Sequence, residues 1–132
     1  MKLITRNHYL NKLIDVKNTP DIKVITGVRR SGKSKLMDAF IDILEKEENA
    51  NVIRIKLNLK EFEKLKDKEE LYKYVQDHYK KEYTNYLLVD EIQLCKDFEV
   101  IINSLHEEEK FDIYLTGSNA FLLSSDLATL FG

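Results

Sequence analysis

The sequence predicts an α/β fold with a mostly parallel sheet, and three observations predict it. Apolar, β-branched runs of strand length recur along the chain, and stretches with helical spacing alternate with them. A glycine-bearing loop stands between the first strand and the first helix. It reads Gly27-Val28-Arg29-Arg30-Ser31-Gly32-Lys33-Ser34 and fits G-x-x-x-x-G-K-[ST], the pattern of a phosphate-binding loop.

The elements follow in order. Tyr9, Leu10, Leu13 and Ile14 are spaced as one face of a short helix from about Asn7 to Val16, part of a lead-in segment over residues 1–20. Two readings stand for it: a helix folded over the ligand site, or one covering a sheet edge. Asn18-Thr19-Pro20-Asp21 is a turn. Ile22 to Thr26 is the first strand and Lys33 to Glu48 the first helix, with Leu36, Phe40, Ile43 and Leu44 on its apolar face. Asn49-Ala50-Asn51 forms a loop. Val52 to Leu57 alternates apolar and basic residues, as expected of an edge strand with one wet, charged face. Phe62 and Leu65 are packing contacts in a Lys/Glu-rich stretch. Asp67, with Glu70 three residues on, opens a helix carrying Leu71, Tyr74, Val75 and His78 on one stripe. His78 on that stripe reads as a core-edge histidine. Tyr86 to Val89 is an apolar strand ending in Asp90 and Glu91. Asp97 caps a helix with Phe98, Ile101, Ile102 and Leu105 on one face. Asp112 to Thr116 is a fourth strand running into the turn Gly117-Ser118-Asn119-Ala120.

Composition narrows the class. The 132 residues suit one domain, and 43% hydrophobic with 33% charged residues suits a globular, soluble chain. A net charge of −2 gives no clear nucleic-acid signal. Cys95 is the single cysteine, so no internal disulfide can form, which fits a reducing, cytoplasmic setting. No apolar run approaches the ~20 residues of a membrane span, and the N-terminus turns polar at once, without a signal-peptide core.

The chemistry of the loop explains its residues. A triphosphate needs inward-pointing backbone N–H groups, and Gly27 and Gly32 permit the turns that aim them. The following helix adds its N-terminal donors and dipole. Lys33 would reach the β- and γ-phosphates, and the Ser34 hydroxyl would ligate Mg²⁺. Four apolar residues followed by Asp90-Glu91 match a Walker B pattern: Asp90 would share the Mg²⁺ and Glu91 would polarise the attacking water. Ser118 and Asn119 are open to two readings, γ-phosphate sensing or plain turn chemistry. In a parallel sheet all three motifs leave strands at the carboxyl rim, where ligands bind. Arg29 and Arg30 are open to a phosphate, a neighbouring subunit or solvent. His8, His78 and His106 have no metal-ligand spacing. Asn11-Lys12 is not a guanine-reading Asn-Lys-x-Asp, since position 14 is Ile, and it precedes the loop.

Three runs carry a resemblance. Val24 to Ser34, Leu88-Val89-Asp90-Glu91-Ile92-Gln93 and Tyr114 to Ala120 resemble the prokaryotic AAA-type P-loop ATPases, which join an N-terminal ATPase domain to a C-terminal domain of unknown function. The similarity runs from about Arg6 to Gly132. It implies a P-loop NTPase three-layer sandwich with sheet order 5-1-4-3-2, which places Val52 to Leu57 at an edge. It implies ATP and Mg²⁺ as ligands. Gly27, Val28, Arg29, Arg30, Ser31, Gly32, Lys33, Ser34 and Lys35 would bind the nucleotide, and Ser34 and Asp90 the metal. Lys33, Glu91, Ser118 and Asn119 would be catalytic, the last two as sensor-1 residues. Position 35 is Lys where the family often has Thr. The chain is expected to be truncated: the fifth strand, the lid, an arginine finger and sensor 2 would all follow Gly132.

The expected function is Mg²⁺-dependent ATP binding, with hydrolysis in the full-length context and weak turnover by the isolated chain. The expected partner is a second copy or a target protein. A nucleotide-gated interaction module without efficient hydrolysis is the alternative. A small-molecule kinase would need an acceptor-binding signature, which is not visible.

Overall fold

The computed structural model describes residues 10–25 and 30–117, with the backbone alone for residues 30–34. The sheet contains β1 (Lys23–Ile25), β2 (Ala50–Lys56), β3 (Thr84–Asp90) and β4 (Phe111–Thr116). All pairings are parallel and the order is β1-β4-β3-β2. These four strands take the relative order that the resemblance implied, with β2 at one edge as its alternation predicted. Central strands of a parallel sheet are covered on both faces, so they read as continuous apolar runs. Accordingly every residue from Asn85 to Asp90 in β3 is buried.

Besides a helical stretch at residues 10–15, three α-helices and two 3₁₀ segments accompany the sheet among the described residues. They are α1 (Arg30–Leu44), α2 (Lys68–His78) and α3 (Phe98–Glu107), with 3₁₀ turns at Lys60–Lys66 and Ile92–Leu94. Strand alternation sorts the core into two clusters. Tyr86, Leu88, Tyr114 and Ile25 face Leu36, Met37, Phe40 and Leu44 of α1. Leu87, Val89, Ile113, Leu115, Ile53 and Ile55 face the side chains of α2 and α3, among them Leu71, Val75, Phe98, Ile101, Ile102 and Leu105. The result is a three-layer α/β/α sandwich. Residues 10–15 are helical, and Leu13 packs into the cluster on the α1 side. This segment therefore covers a sheet face beside α1.

Several local expectations change, among them the loop expected at Asn49-Ala50-Asn51, of which Ala50 and Asn51 open β2. Helix α1 begins at Arg30, earlier than Lys33, and ends at Leu44. The basic face of β2 is its wetter one, as expected, but only partly so: Arg54 and Lys56 are half-buried where Ile53 and Ile55 are buried. Arg54 shares the side of the sheet that α1 covers, and its side chain is 17% exposed. Asp67 caps α2 by accepting from the Glu70 N–H at 3.0 Å. Asp97, however, stands before α3 in a left-handed conformation (φ 59°) and makes no side-chain cap bond among the described residues. Finally, His78 is exposed at the end of α2 and stacks on Tyr74, with ring centroids 4.0 Å apart. The His78 carbonyl accepts from Asn51 Nδ2 of β2 at 2.7 Å, so the helix ends against the sheet edge while the ring stays outside the core.

At the amino-terminal ends of the strands a buried polar cluster closes the molecule. Lys23 Nζ donates to Asp112 Oδ1 at 2.5 Å and to the Thr19 carbonyl at 2.6 Å. Tyr114 Oη and the Asn18 N–H donate to Asp112 Oδ2 at 2.6 and 2.8 Å. A buried ion pair is tolerable only when its remaining valences are met in this way.

Candidate functional site

Parallel register brings the carboxyl ends of the strands to one rim. Ile25 pairs with Thr116, Val89 with Leu115, and Lys56 with Asp90. The exit of β1, which leads into the glycine-bearing loop, therefore lies beside β4, with β3 next to it. The rim is fixed by the same pairing that builds the core.

The predicted residues fall on this rim unevenly. Gly27, Val28 and Arg29 lie outside the described residues, as do Ser118 and Asn119. Arg30, Ser31, Gly32, Lys33 and Ser34 form the opening turns of α1. Their helical backbone puts Lys33 and Ser34 near a helix N-terminus, where unsatisfied N–H groups favour anions. Lys35 is helical and exposed.

Asp90 closes β3 on the face that α1 covers. It is buried, and its Oδ2 accepts from Arg54 Nη2 at 2.8 Å. The second arm of the same guanidinium, Nη1, donates to Asp38 Oδ1 of α1 at 3.0 Å. Asp90 Oδ1 is buried and has no hydrogen-bond partner among the described residues. Burial pushes the Asp90 carboxyl above the usual carboxylate range, with Arg54 pulling the other way. A buried acceptor left unpaired is costly and rare in native proteins. A hard divalent cation asks for such an oxygen. The residues present thus fit Mg²⁺ at Asp90.

Glu91 follows where the chain turns out of the strand. Its backbone is left-handed (φ 57°, ψ 50°), a conformation uncommon for a residue with a side chain. Two groups hold it there. Its N–H donates to Thr116 Oγ1 at 3.2 Å, which ties β3 to β4 across the rim. Its carboxylate Oε1 accepts from Gln93 Nε2 at 2.8 Å. The amide orientation follows from this contact, since a carboxylate accepts only.

Arg54, Thr116 and Gln93 were not singled out from sequence. For Gln93 a signal existed, two residues beyond Glu91 inside the Asp-Glu run. For Arg54 there was none, because its partners are 36 and 16 residues away. At the other pole, a cavity of ≈ 500 Å³ lies among Pro20, Tyr83, His106 and Lys110. It is far from the Asp90 rim along the strands and is lined by none of the predicted site residues.

Residues 19–132 match the family described as AAA domain. The chain belongs to this AAA domain family. Membership supports nucleotide binding of the ATPase kind at the level of the family. The domain is 41% identical over 131 residues to an uncharacterized protein of Haemophilus influenzae, covering 97% of this chain and 33% of that protein. It is 30% identical over 142 residues to the uncharacterized protein MJ1544 of Methanocaldococcus jannaschii, covering 98% of this chain and 28% of that one. This AAA domain thus spans a third or less of the length of these relatives. In structure it is similar to C. elegans PCH-2, with a TM-score of 0.53 and 16% identity over 98% of this chain and 41% of that one. That likeness bears on the fold, an α/β sandwich with a parallel sheet. Among the described residues no helix is long and apolar enough to cross a membrane.

Proposed function

We propose that this AAA domain binds ATP together with Mg²⁺, and that hydrolysis takes place in a longer chain such as its relatives have. The observation that carries the reading is Asp90 Oδ1, buried and without a partner among the described residues, on the rim to which β1 delivers the phosphate-loop motif. Gly27 and Gly32 let the loop wrap the phosphates, and the opening N–H groups of α1 point at them. Lys33 meets the β- and γ-phosphates. Ser34 and Asp90 hold the Mg²⁺, which when bound neutralises phosphate charge. Glu91, braced by Thr116 and Gln93, orients the attacking water. Ser118 and Asn119 position the γ-phosphate. A second copy or a target protein is the proposed partner.

Calorimetric titration with ATP and with GTP, each with and without Mg²⁺, tests nucleotide identity and metal dependence together. Lys33→Ala is expected to abolish binding; ATP affinity unchanged in that variant would sink the assignment. Asp90→Asn is expected to remove the metal dependence and leave metal-free binding in place.

A further inference from the structure

Arg54 makes an unusual choice of partners. A guanidinium is a planar fork that matches both oxygens of one carboxylate. Here the fork is split between two acids, Asp90 on β3 and Asp38 on α1, at 2.8 and 3.0 Å. The split leaves two buried polar atoms without a partner among the described residues, the donor Arg54 Nε and the acceptor Asp90 Oδ1. Pairing Arg54 with Asp90 alone, through two bonds, would engage Oδ1. The tie to Asp38 opposes that arrangement. Asp38 lies eight residues into α1, the same helix that opens with Lys33 and Ser34.

We propose that Asp38 and Arg54 are positioning residues that set how many oxygens Asp90 offers a divalent cation. Asp38 holds one arm of Arg54, Arg54 engages a single oxygen of Asp90, and the other oxygen is kept for the ion. This rests on the reading of Asp90 as a metal ligand. The sign of the effect follows from two contributions that agree. Without the Asp38 charge, Arg54 places an unbalanced positive charge beside the cation. It is also free to capture the second oxygen of Asp90. Both weaken metal binding.

The test is a Mg²⁺ titration of the ATP-loaded protein, followed by calorimetry, across a double-mutant cycle. The side chain of Asp38 is 57% exposed, so its substitution leaves the core in place. Asp38→Asn is expected to weaken Mg²⁺ binding about threefold to fivefold, the scale of an ion pair exposed on one side, while metal-free ATP binding is unchanged. Asp38→Glu is expected to restore most of the loss. In an Arg54→Gln background the Asp38→Asn effect disappears, because the two residues act through one contact. Wild-type Mg²⁺ affinity in Asp38→Asn overturns the proposal, even if Arg54→Gln fails to fold. An equal loss in both backgrounds also overturns it, since Asp38 would then act on the ion independently of Arg54. Asp90→Asn separates the two levels. If it leaves the Mg²⁺ dependence intact, the ligand assignment falls and takes this proposal with it. If it removes that dependence while the cycle is additive, this proposal falls alone.

Discussion

Cys95 packs in the apolar cluster shared by α2 and α3 and is fully buried. Burial, with Asp67, Asp97 and Glu99 nearby, pushes its thiol up to about 11. The thiolate is the reactive form, so the folded protein at pH 8 should resist a thiol reagent such as dithionitrobenzoate. It should react with one equivalent after unfolding in urea. Rapid labelling of the folded protein would contradict the burial described. Single residues also mark how far the sequence could be read. Asp90 and Glu91 were legible because an apolar strand must end somewhere, and two acids at its carboxyl end stand out. The bracing of Glu91 by Thr116 was not, because the two residues are 25 apart in sequence and meet only through the β3–β4 pairing.

Elements expose a different limit. Asp67 and Asp97 look alike in sequence, each an aspartate just before a helix, yet they do different work. The Asp67 side chain accepts a backbone N–H of α2, so Asp67→Ala should cost about 1 kcal/mol of stability. Asp97 occupies a left-handed position at φ 59°, where a Cβ is a burden and glycine is at ease. Asp97→Gly should therefore be neutral or stabilising, within about 1 kcal/mol. Urea melts of the two variants check the pair, and a larger loss for Asp97→Gly than for Asp67→Ala would overturn the distinction. Strand β2 teaches the same lesson. Its alternation correctly announced an edge strand. It also marked the wetter, basic face, but how far α1 reaches over that face, leaving the Arg54 side chain only 17% exposed, is something periodicity along one strand carries no information about.

At the scale of the whole molecule, stability depends on contacts between elements, and several of these are ionisable. Glu108, just after α3, accepts from Tyr72 Oη and Gln76 Nε2 of α2 at 2.5 and 2.7 Å and pairs with Lys110 at 3.4 Å. Burial opposes its charge, but these three partners outweigh it and hold its carboxyl below the usual glutamate range. A depressed carboxylate contributes stability that is present above its unfolded value of about 4.3 and lost as pH falls through the lower folded one. Glu108→Gln should therefore lose about 1 kcal/mol at pH 7. It should also lose less than the native chain does between pH 5 and pH 3. Parallel thermal melts across that range check both, and identical acid limbs would refute the role. Taken by itself, the sequence determined the element types, the parallel α/β class, the phosphate-loop motif and the acidic pair at the carboxyl end of β3, because strand and helix periods and short motifs are local. Only the tertiary structure decided that Arg54 turns inward to divide itself between Asp38 and Asp90. It alone decided that Thr116 and Gln93 brace Glu91 and that Lys23 is buried against Asp112. For Arg54, Thr116 and Lys23 the partners are separated by 16 to 89 residues, and it is the stacking of α1 on the sheet and the register of its strands that bring them within bonding distance.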